Sequence, residues 1–292
     1  MMRIPFTKMA AAGNDFLLID TRRAKLARPR AQWRSISRTL CDRRYGVGAD
    51  GLLVLGRSSA AHVSMRVFNP DGSEAEMCGN GARCVALYVK DSGKWEVGSG
   101  KEVTIETKAG VLSARVRGSR VAMRMTDPTD LRLGMTLDVD QRRLRMGFVN
   151  TGVPHAVIPV KAVEAIDVDR LGRTVRHLPR FSPRGTNVDF IQPDARRPNR
   201  LHVRTYERGV EGETLACGTG VAASAVVHVL MRGNNGRARQ QRIAVETRSG
   251  EVLTVSLTVV PQSRGWRITN VVMEGGALRI FDGTAVWPIR RM

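Results

Sequence analysis

Two runs of the sequence share one pattern, and each is centred on a cysteine. Glu74-Ala-Glu-Met-Cys78-Gly-Asn-Gly81 and Glu213-Thr-Leu-Ala-Cys217-Gly-Thr-Gly220 both read Glu-x-x-x-Cys-Gly-x-Gly, and both lead into an apolar stretch. A Gly-x-Gly turn at a helix start presents backbone N–H groups without helical partners, and with the helix dipole these bind an anion. The same field stabilises a thiolate on the adjoining cysteine, whose free pKa is about 8.5. Each motif is therefore expected to join a carboxylate cradle to a tunable proton carrier. A pair of such motifs suits a reaction that takes a proton from one face of a carbon and returns one to the other face. The N–H groups would hold the enediolate charge that builds on the carboxylate. This chemistry demands no pyridoxal cofactor, and no cofactor is expected.

The elements around the two cysteines repeat as well. Met65-Arg-Val-Phe-Asn-Pro-Asp-Gly72 faces Val203-Arg-Thr-Tyr-Glu-Arg-Gly209 upstream, and Val103-Thr-Ile-Glu-Thr-Lys-Ala-Gly110 faces Ile243-Ala-Val-Glu-Thr-Arg-Ser-Gly250 downstream. Each copy reads as strand, Gly turn, Cys-Gly-x-Gly, helix, strand, turn, strand. Two copies argue for two related domains and against a solenoid. The expected helices are Ala82 to Lys90 and Val221 to Met231, both apolar nearly all round and so buried, with further helical windows over Ala31 to Asp42 and Val163 to Leu178. Most of the remainder alternates as strands, with a hairpin around Gly118. The expected architecture is α+β. The first half covers residues 1–126, with 278–292 returning to it, and the second covers 127–277, the change falling at the Thr126-Asp-Pro128 turn. Cys84 and Cys41 read as packing residues. Glu74 and Glu213 read as structural carboxylates that could interact with the helix starts.

Composition narrows the function classes. The chain has 292 residues, enough for about two domains, with 42% hydrophobic and 25% charged residues, as in an ordinary soluble protein. No stretch approaches a membrane span, and the N-terminus lacks an apolar signal core, so a cytoplasmic protein is expected. Four cysteines are too few for a disulfide framework, and no Cys or His spacing resembles a metal site. The formal charge of +20 raises a nucleic-acid reading. The arginines are scattered, however, and aromatic residues make up only 5%, which favours a solvated basic surface without nucleic acid.

Seven runs carry a resemblance. They are Gly13-Asn-Asp-Phe16, Phe68-Asn-Pro-Asp-Gly-Ser-Glu74, Met77-Cys-Gly-Asn-Gly-Ala-Arg-Cys84, Gly152-Val-Pro-His155, Thr186-Asn-Val-Asp-Phe190, Tyr206-Glu-Arg-Gly209 and Ala216-Cys-Gly-Thr-Gly220. Spread along the whole chain, they are similar in order and spacing to the diaminopimelate epimerase family. The resemblance implies two pseudo-symmetric β-barrel-like domains, each wrapped around a central apolar helix. It implies cofactor-free interconversion of L,L- and meso-diaminopimelate, on the route to lysine and cell-wall precursors, by a homodimer. Matched by position, it makes Cys78 and Cys217 the two acid/bases. Gly79, Asn80, Gly218 and Thr219 become the backbone cradle for the reacting carboxylate. Asn14, Asn69, Asn187, Glu207 and Arg208 become the residues that bind the amines and the distal carboxylate, and His155 and Glu207 the groups that poise the thiols. From sequence alone His155 reads more readily as a satisfied core histidine.

The chain departs from the family pattern at Val153, where many members carry Asn, and at Gly51, where many carry Gln. Both positions touch substrate binding and leave the thiols intact. The competing readings are another cofactor-free racemase, of proline or hydroxyproline, and a nucleic-acid-binding protein on a degenerate enzyme fold. Glu207-Arg208 and the asparagines favour a substrate with a second charged end, which proline lacks.

Overall fold

The computed structural model describes residues 2–24, 30–93, 102–139, 142–233, 237–263 and 265–288. The fold is α+β, and the chain divides into two compact units. One comprises Met1–Met123 with Gly275–Met292, the other Arg124–Glu274.

The first unit contains β1 (Met2–Ala11), β2 (Asn14–Asp20), the short α1 (Thr21–Ala24), α2 (Arg30–Leu40), β3 (Gly51–Gly56), β4 (Val63–Phe68), β5 (Glu74–Ala75), α3 (Gly79–Asp91), β6 (Val103–Thr107), β7 (Gly110–Arg117) and β8 (Arg120–Arg124). The second contains β9 (Thr129–Val139), β10 (Arg142–Asn150), β11 (Pro154–Pro159), α4 (Val168–Arg176), β12 (Asn187–Pro193), β13 (Arg200–Glu207), β14 (Gly212–Thr214), α5 (Gly218–Met231), β15 (Arg239–Glu246), β16 (Val252–Pro261) and β17 (Trp266–Gly276). The last strand, β18 (Leu278–Trp287), pairs antiparallel with β1 and completes the first unit. Residues 289–292 of the expected returning segment lie outside the described residues.

The strands follow the same order in both units. In the first, β18, β1 and β2 run antiparallel, β3 lies parallel to β2, β4 is antiparallel to β3, and β6 is parallel to β4 and continues through β7 to β8. In the second, β9, β10 and β11 run antiparallel, β12 lies parallel to β11, β13 is antiparallel to β12, and β15 is parallel to β13 and continues through β16 to β17. The strands of each unit surround one helix. Helix α3 packs against β1, β2, β3, β4, β6, β7 and β18, and α5 against β10, β11, β12, β13, β15 and β16.

Strand alternation sorts the side chains into inner and outer cores. On β2, Phe16 and Leu18 face α3, whereas Leu17 and Ile19 join an outer core capped by Trp33, Ile36 and Leu40 of α2. On β12, Ile191 faces α5, whereas Val188 and Phe190 join an outer core capped by Val168 and Val175 of α4. Helix α5 is rich in valine, a modest helix former. Its place inside the sheet overrides that preference, because each fully buried Val or Leu contributes about 1.5–3 kcal/mol.

Two helical windows differ from the sequence reading. The window over 163–178 is not continuous: a 3-10 turn at Val163–Ala165 precedes α4. Asp167 breaks it, because its carboxylate accepts the Arg170 N–H at 3.1 Å and caps a new start. The first window ends at Leu40, where the Val47 and Gly48 N–H groups bond back to the Leu40 carbonyl. Cys41 and Cys84 are buried in the cores of the first unit.

Candidate active site

The common strand order fixes which residues of the two units are equivalent. Leu52 opposes Phe68 and Leu53 opposes Val67, as Val188 opposes Tyr206 and Asp189 opposes Thr205. The parallel registers, Phe16 with Gly51 and His155 with Asn187, then match Phe16 to His155. The preceding hairpin turns match too. Gly13 at φ 82° and Gly152 at φ 111° both occupy the left-handed region that glycine tolerates. Val153 thus stands where the first unit has Asn14.

Cys78 and Cys217 occupy the same structural position, the N-cap of the enclosed helix, with extended backbones at φ −142° and −107°. The helical carbonyl bonds begin at these residues: Ala82 N–H to Cys78 at 2.8 Å and Val221 N–H to Cys217 at 2.9 Å. Gly79-Asn80 and Gly218-Thr219 therefore form the first turns, whose N–H groups have no carbonyl partner within the helix.

The surroundings of the two sulfurs differ. Cys78 is half-buried, and its Sγ accepts the Gly81 N–H at 3.4 Å. The Asn80 carboxamide turns away from it, donating to Asn14 Oδ1 at 2.7 Å and accepting from the buried Arg83 guanidinium at 3.0 Å. Asn14 in turn donates to Asp50 at 3.1 Å. Phe16, Leu53 and Val67 of the inner core lie on the strands behind this turn, and Cys78 packs against that core. Asn69 stands apart from this network. It belongs to the turn after β4, where its amide donates to Ser73 Oγ at 2.8 Å.

Cys217 is buried, and its Sγ lies 3.4 Å from Thr219 Oγ1. Thr219 Oγ1 is 2.9 Å from His155 Nε2, and His155 Nδ1 is 2.7 Å from Asp189 Oδ2. The Thr205 hydroxyl donates to the other Asp189 oxygen at 2.7 Å, and the Thr151 hydroxyl donates to the Thr219 carbonyl at 2.9 Å. Burial pushes the Cys217 thiol well above its ordinary value, helped by the negative charges of Glu207 and Asp189. The expected lowering by the helix start is thus overridden here by desolvation and two nearby carboxylates. Burial also raises the Glu207 carboxyl, with the nearby Asp189 charge acting the same way and the Thr214 hydroxyl and Cys217 thiol opposing them.

Asn187 links two other candidates. Its amide donates to the Pro154 carbonyl at 3.1 Å, and its oxygen accepts the Arg208 N–H at 2.8 Å. The Arg208 side chain donates to the Arg184 carbonyl at 3.2 Å. It lines a cavity of about 280 Å³ together with Arg132, Arg180, Gly152 and Val153. His155 is fully buried and fully bonded, as a core histidine would be, yet one of its partners is the hydroxyl beside Cys217.

Glu74 and Glu213 are structural carboxylates held in ion pairs. Glu74 pairs with Arg66 at 2.9 Å and Lys108 at 3.0 Å, and Glu213 with Arg204 at 2.6 Å and Arg248 at 3.8 Å. These duplicated ion pairs tie the strand before each cysteine to the turn that leads into it. Asp189, Thr205, Thr151 and Arg83 carry no role in the sequence patterns. The available signal was a lone carboxylate, Asp189, between Val188 and Phe190 in a buried strand.

The diaminopimelate epimerase family model matches residues 6–130 and 147–278. The chain belongs to the diaminopimelate epimerase family. It is 40% identical to the diaminopimelate epimerase of Aquifex aeolicus (strain VF5) over 287 residues, covering 95% of this chain and 96% of the relative. It is also 40% identical to that of Archaeoglobus fulgidus over 296 residues, covering 97% and 96%. Among solved structures, a Bacillus anthracis phenazine biosynthesis protein of the PhzF family has a TM-score of 0.71 at 18% identity, covering 98% of this chain and 100% of that one. A probable proline racemase from Agrobacterium radiobacter K84 has a TM-score of 0.68 at 17% identity, covering 97% and 93%. These two share the fold. Membership of an epimerase family makes the chain an isomerase.

Proposed function

We propose that this protein converts L,L-diaminopimelate to meso-diaminopimelate without a cofactor, with Cys78 and Cys217 as the acid/base pair, in the synthesis of lysine and cell-wall precursors. The observation that carries the reading is the duplication itself: each unit places a cysteine at the N-cap of its enclosed helix, beside a Gly-rich first turn. In this reading the two first turns, Gly79-Asn80 and Gly218-Thr219, hold the reacting carboxylate. One sulfur, as thiolate, takes the α-proton, and the other, as thiol, delivers a proton to the opposite face. Charge then grows on a carboxylate already held by oriented N–H groups, which stabilise it most in the transition state. His155 and Glu207 poise Cys217, which they flank.

Asn14, Asn69, Asn187, Glu207 and Arg208 bind the amines and the distal carboxylate. Arg208 beside an arginine-lined cavity supports a substrate with a second anionic end, since a guanidinium fork matches a carboxylate. Two further readings go with this one. Four free cysteines, two of them needed as thiols, fit a reducing cytoplasm. Exposed Leu278, Ile280, Phe281 and Val286 on the outermost strand β18 support a homodimer.

The test is incubation of the purified protein in heavy water with L,L-diaminopimelate, L-proline or trans-4-hydroxy-L-proline, followed by NMR. Deuterium at the α-carbon of diaminopimelate alone is expected. Deuterium entering proline or hydroxyproline and not diaminopimelate would overturn the reading.

A further inference from the structure

The enclosed helices start alike, but the strands behind them do not carry alike residues. Where the second unit has His155, Asp189 and Thr205, the first has Phe16, Leu53 and Val67 at the equivalent inward positions. We propose that Asp189 is a positioning residue for Cys217, acting through His155 and Thr219 to fix the direction of the Cys217 S–H. This rests on the reading of Cys217 as one of the two acid/bases.

An ionised carboxylate only accepts. Asp189 takes the Thr205 O–H on one oxygen and faces His155 Nδ1 with the other. The Nδ1 position must then carry a proton, and in the neutral imidazole that leaves Nε2 as an acceptor. The Thr219 hydroxyl has one hydrogen, and in this arrangement it goes to Nε2 at 2.9 Å. Its oxygen then faces Cys217 Sγ as an acceptor at 3.4 Å. A chain of single-hydrogen groups can run in either sense, and the carboxylate at its far end selects the sense in which the Thr219 oxygen can accept the Cys217 S–H, beside the other acceptor, Glu207.

Geometry shows how closely this end is built. A Cβ on Gly220, in the first turn of α5, would lie 2.3 Å from Asp189 Oδ1, so the carboxylate packs directly against the helix start. The equivalent Gly81 faces the Leu53 methyls instead. His155 and Asp189 are both fully buried, so no solvent can replace the hydrogen bond they share. The titratable groups around the thiol are His155 from β11, Asp189 from β12 and Glu207 from β13. The direction in which Asp189 and Glu207 move the Cys217 thiol, upward, agrees with a resting S–H.

Two measurements test this. The first is 15N NMR of the unmodified protein labelled in histidine, with His155 assigned by loss of its signals in His155→Gln. A proton on Nδ1 and a bare Nε2 near neutral pH are expected. A proton on Nε2 would overturn the proposal without any variant of Asp189. The second is Asp189→Asn. With Thr205 still bonded to the side-chain oxygen, the amide NH2 faces Nδ1, moves the imidazole proton to Nε2 and reverses the chain toward thiolate.

In that variant kcat is expected to fall about 10- to 100-fold, as when the carboxylate behind a metal-bound histidine is removed, with KM changed by less than about threefold. The thiol limb of the pH profile should move to lower pH. An unchanged kcat and pH profile would contradict the proposal. A Cys217→Ala variant that still epimerises would sink the underlying thiol reading instead, leaving the His155 tautomer result as it stands.

Discussion

At each enclosed helix start the backbone is duplicated and the chemistry behind it is not. Behind Cys217 the sheet presents an imidazole, a carboxylate and a hydroxyl; behind Cys78 the equivalent strand positions carry a phenyl ring, an isobutyl group and a valine. The difference continues inside the helices. Asn80 turns its side chain to Asn14 and Arg83, whereas Thr219 turns its hydroxyl to His155. What both halves keep is what an anion cradle needs, an N-cap cysteine and a Gly-rich turn. What diverges is the group that would decide a sulfur's protonation. Two proton carriers working on opposite faces must begin each turnover in opposite states, and a strictly symmetric pair has no means of favouring one arrangement.

The comparison can be broken most severely at the sulfurs. Cys78→Ala and Cys217→Ala are each expected to lower epimerisation by at least about 10³-fold, within the range for removal of a general acid or base. Conversion of L,L-diaminopimelate followed by chiral chromatography measures this, and a variant retaining most of its activity would show that one thiol suffices. Next comes the helix approach. Gly220→Ala is expected to cost about 3 kcal/mol, because the new methyl meets a fixed carboxylate, and Gly81→Ala about 1 kcal/mol, because Leu53 can shift. Equal costs in denaturant unfolding would mean that Asp189 is not held in place.

The duplicated ion pairs sharpen the comparison further. Glu74→Gln is expected to cost about 2 kcal/mol and Glu213→Gln less, because Arg204 also donates to the carbonyls of Val163 and Ile166. Burial works to raise the Glu74 carboxyl, but Arg66 and Lys108 prevail and hold it down to about 2 from an ordinary 4.5. A carboxyl lowered on folding stabilises the protein above its unfolded pKa. That contribution is lost as pH falls from about 4.5 toward 2. Acid titration should show it in the parent protein and not in Glu74→Gln. The smallest effects belong to Cys84→Ala and Cys41→Ala, which should leave turnover within about twofold while lowering stability by about 1 kcal/mol through lost packing.

What could be read from the chain was local. The Cys-Gly-x-Gly runs, the Arg66 and Arg204 landmarks and the apolar helices are short patterns with a direct physical meaning, and they marked the duplicated helix starts. The function of Asp189 was not local. It depends on the registers of β11, β12 and β13, which bring His155, Asp189 and Thr205 onto one inward face from three separated segments. Glu74 and Glu213 read as structural carboxylates, but their partners Lys108 and Arg248 could not be named, since these lie on the far side of a helix in sequence. The break at Asp167 needed knowledge of a capping bond that competes with a continuous helix. The pairing of β18 with β1 joins the two ends of the chain, and no short pattern encodes it.

The central claim is that one sulfur removes the α-proton and a different one replaces it. Initial-rate turnover of L,L-diaminopimelate in heavy water tests this most directly, with the isotopic content of both pools followed by mass spectrometry. The expected result is meso product that carries deuterium from its first appearance, while the remaining L,L substrate still carries hydrogen. Early meso product that retains the substrate's own α-hydrogen would show a single group serving both faces and would contradict the account.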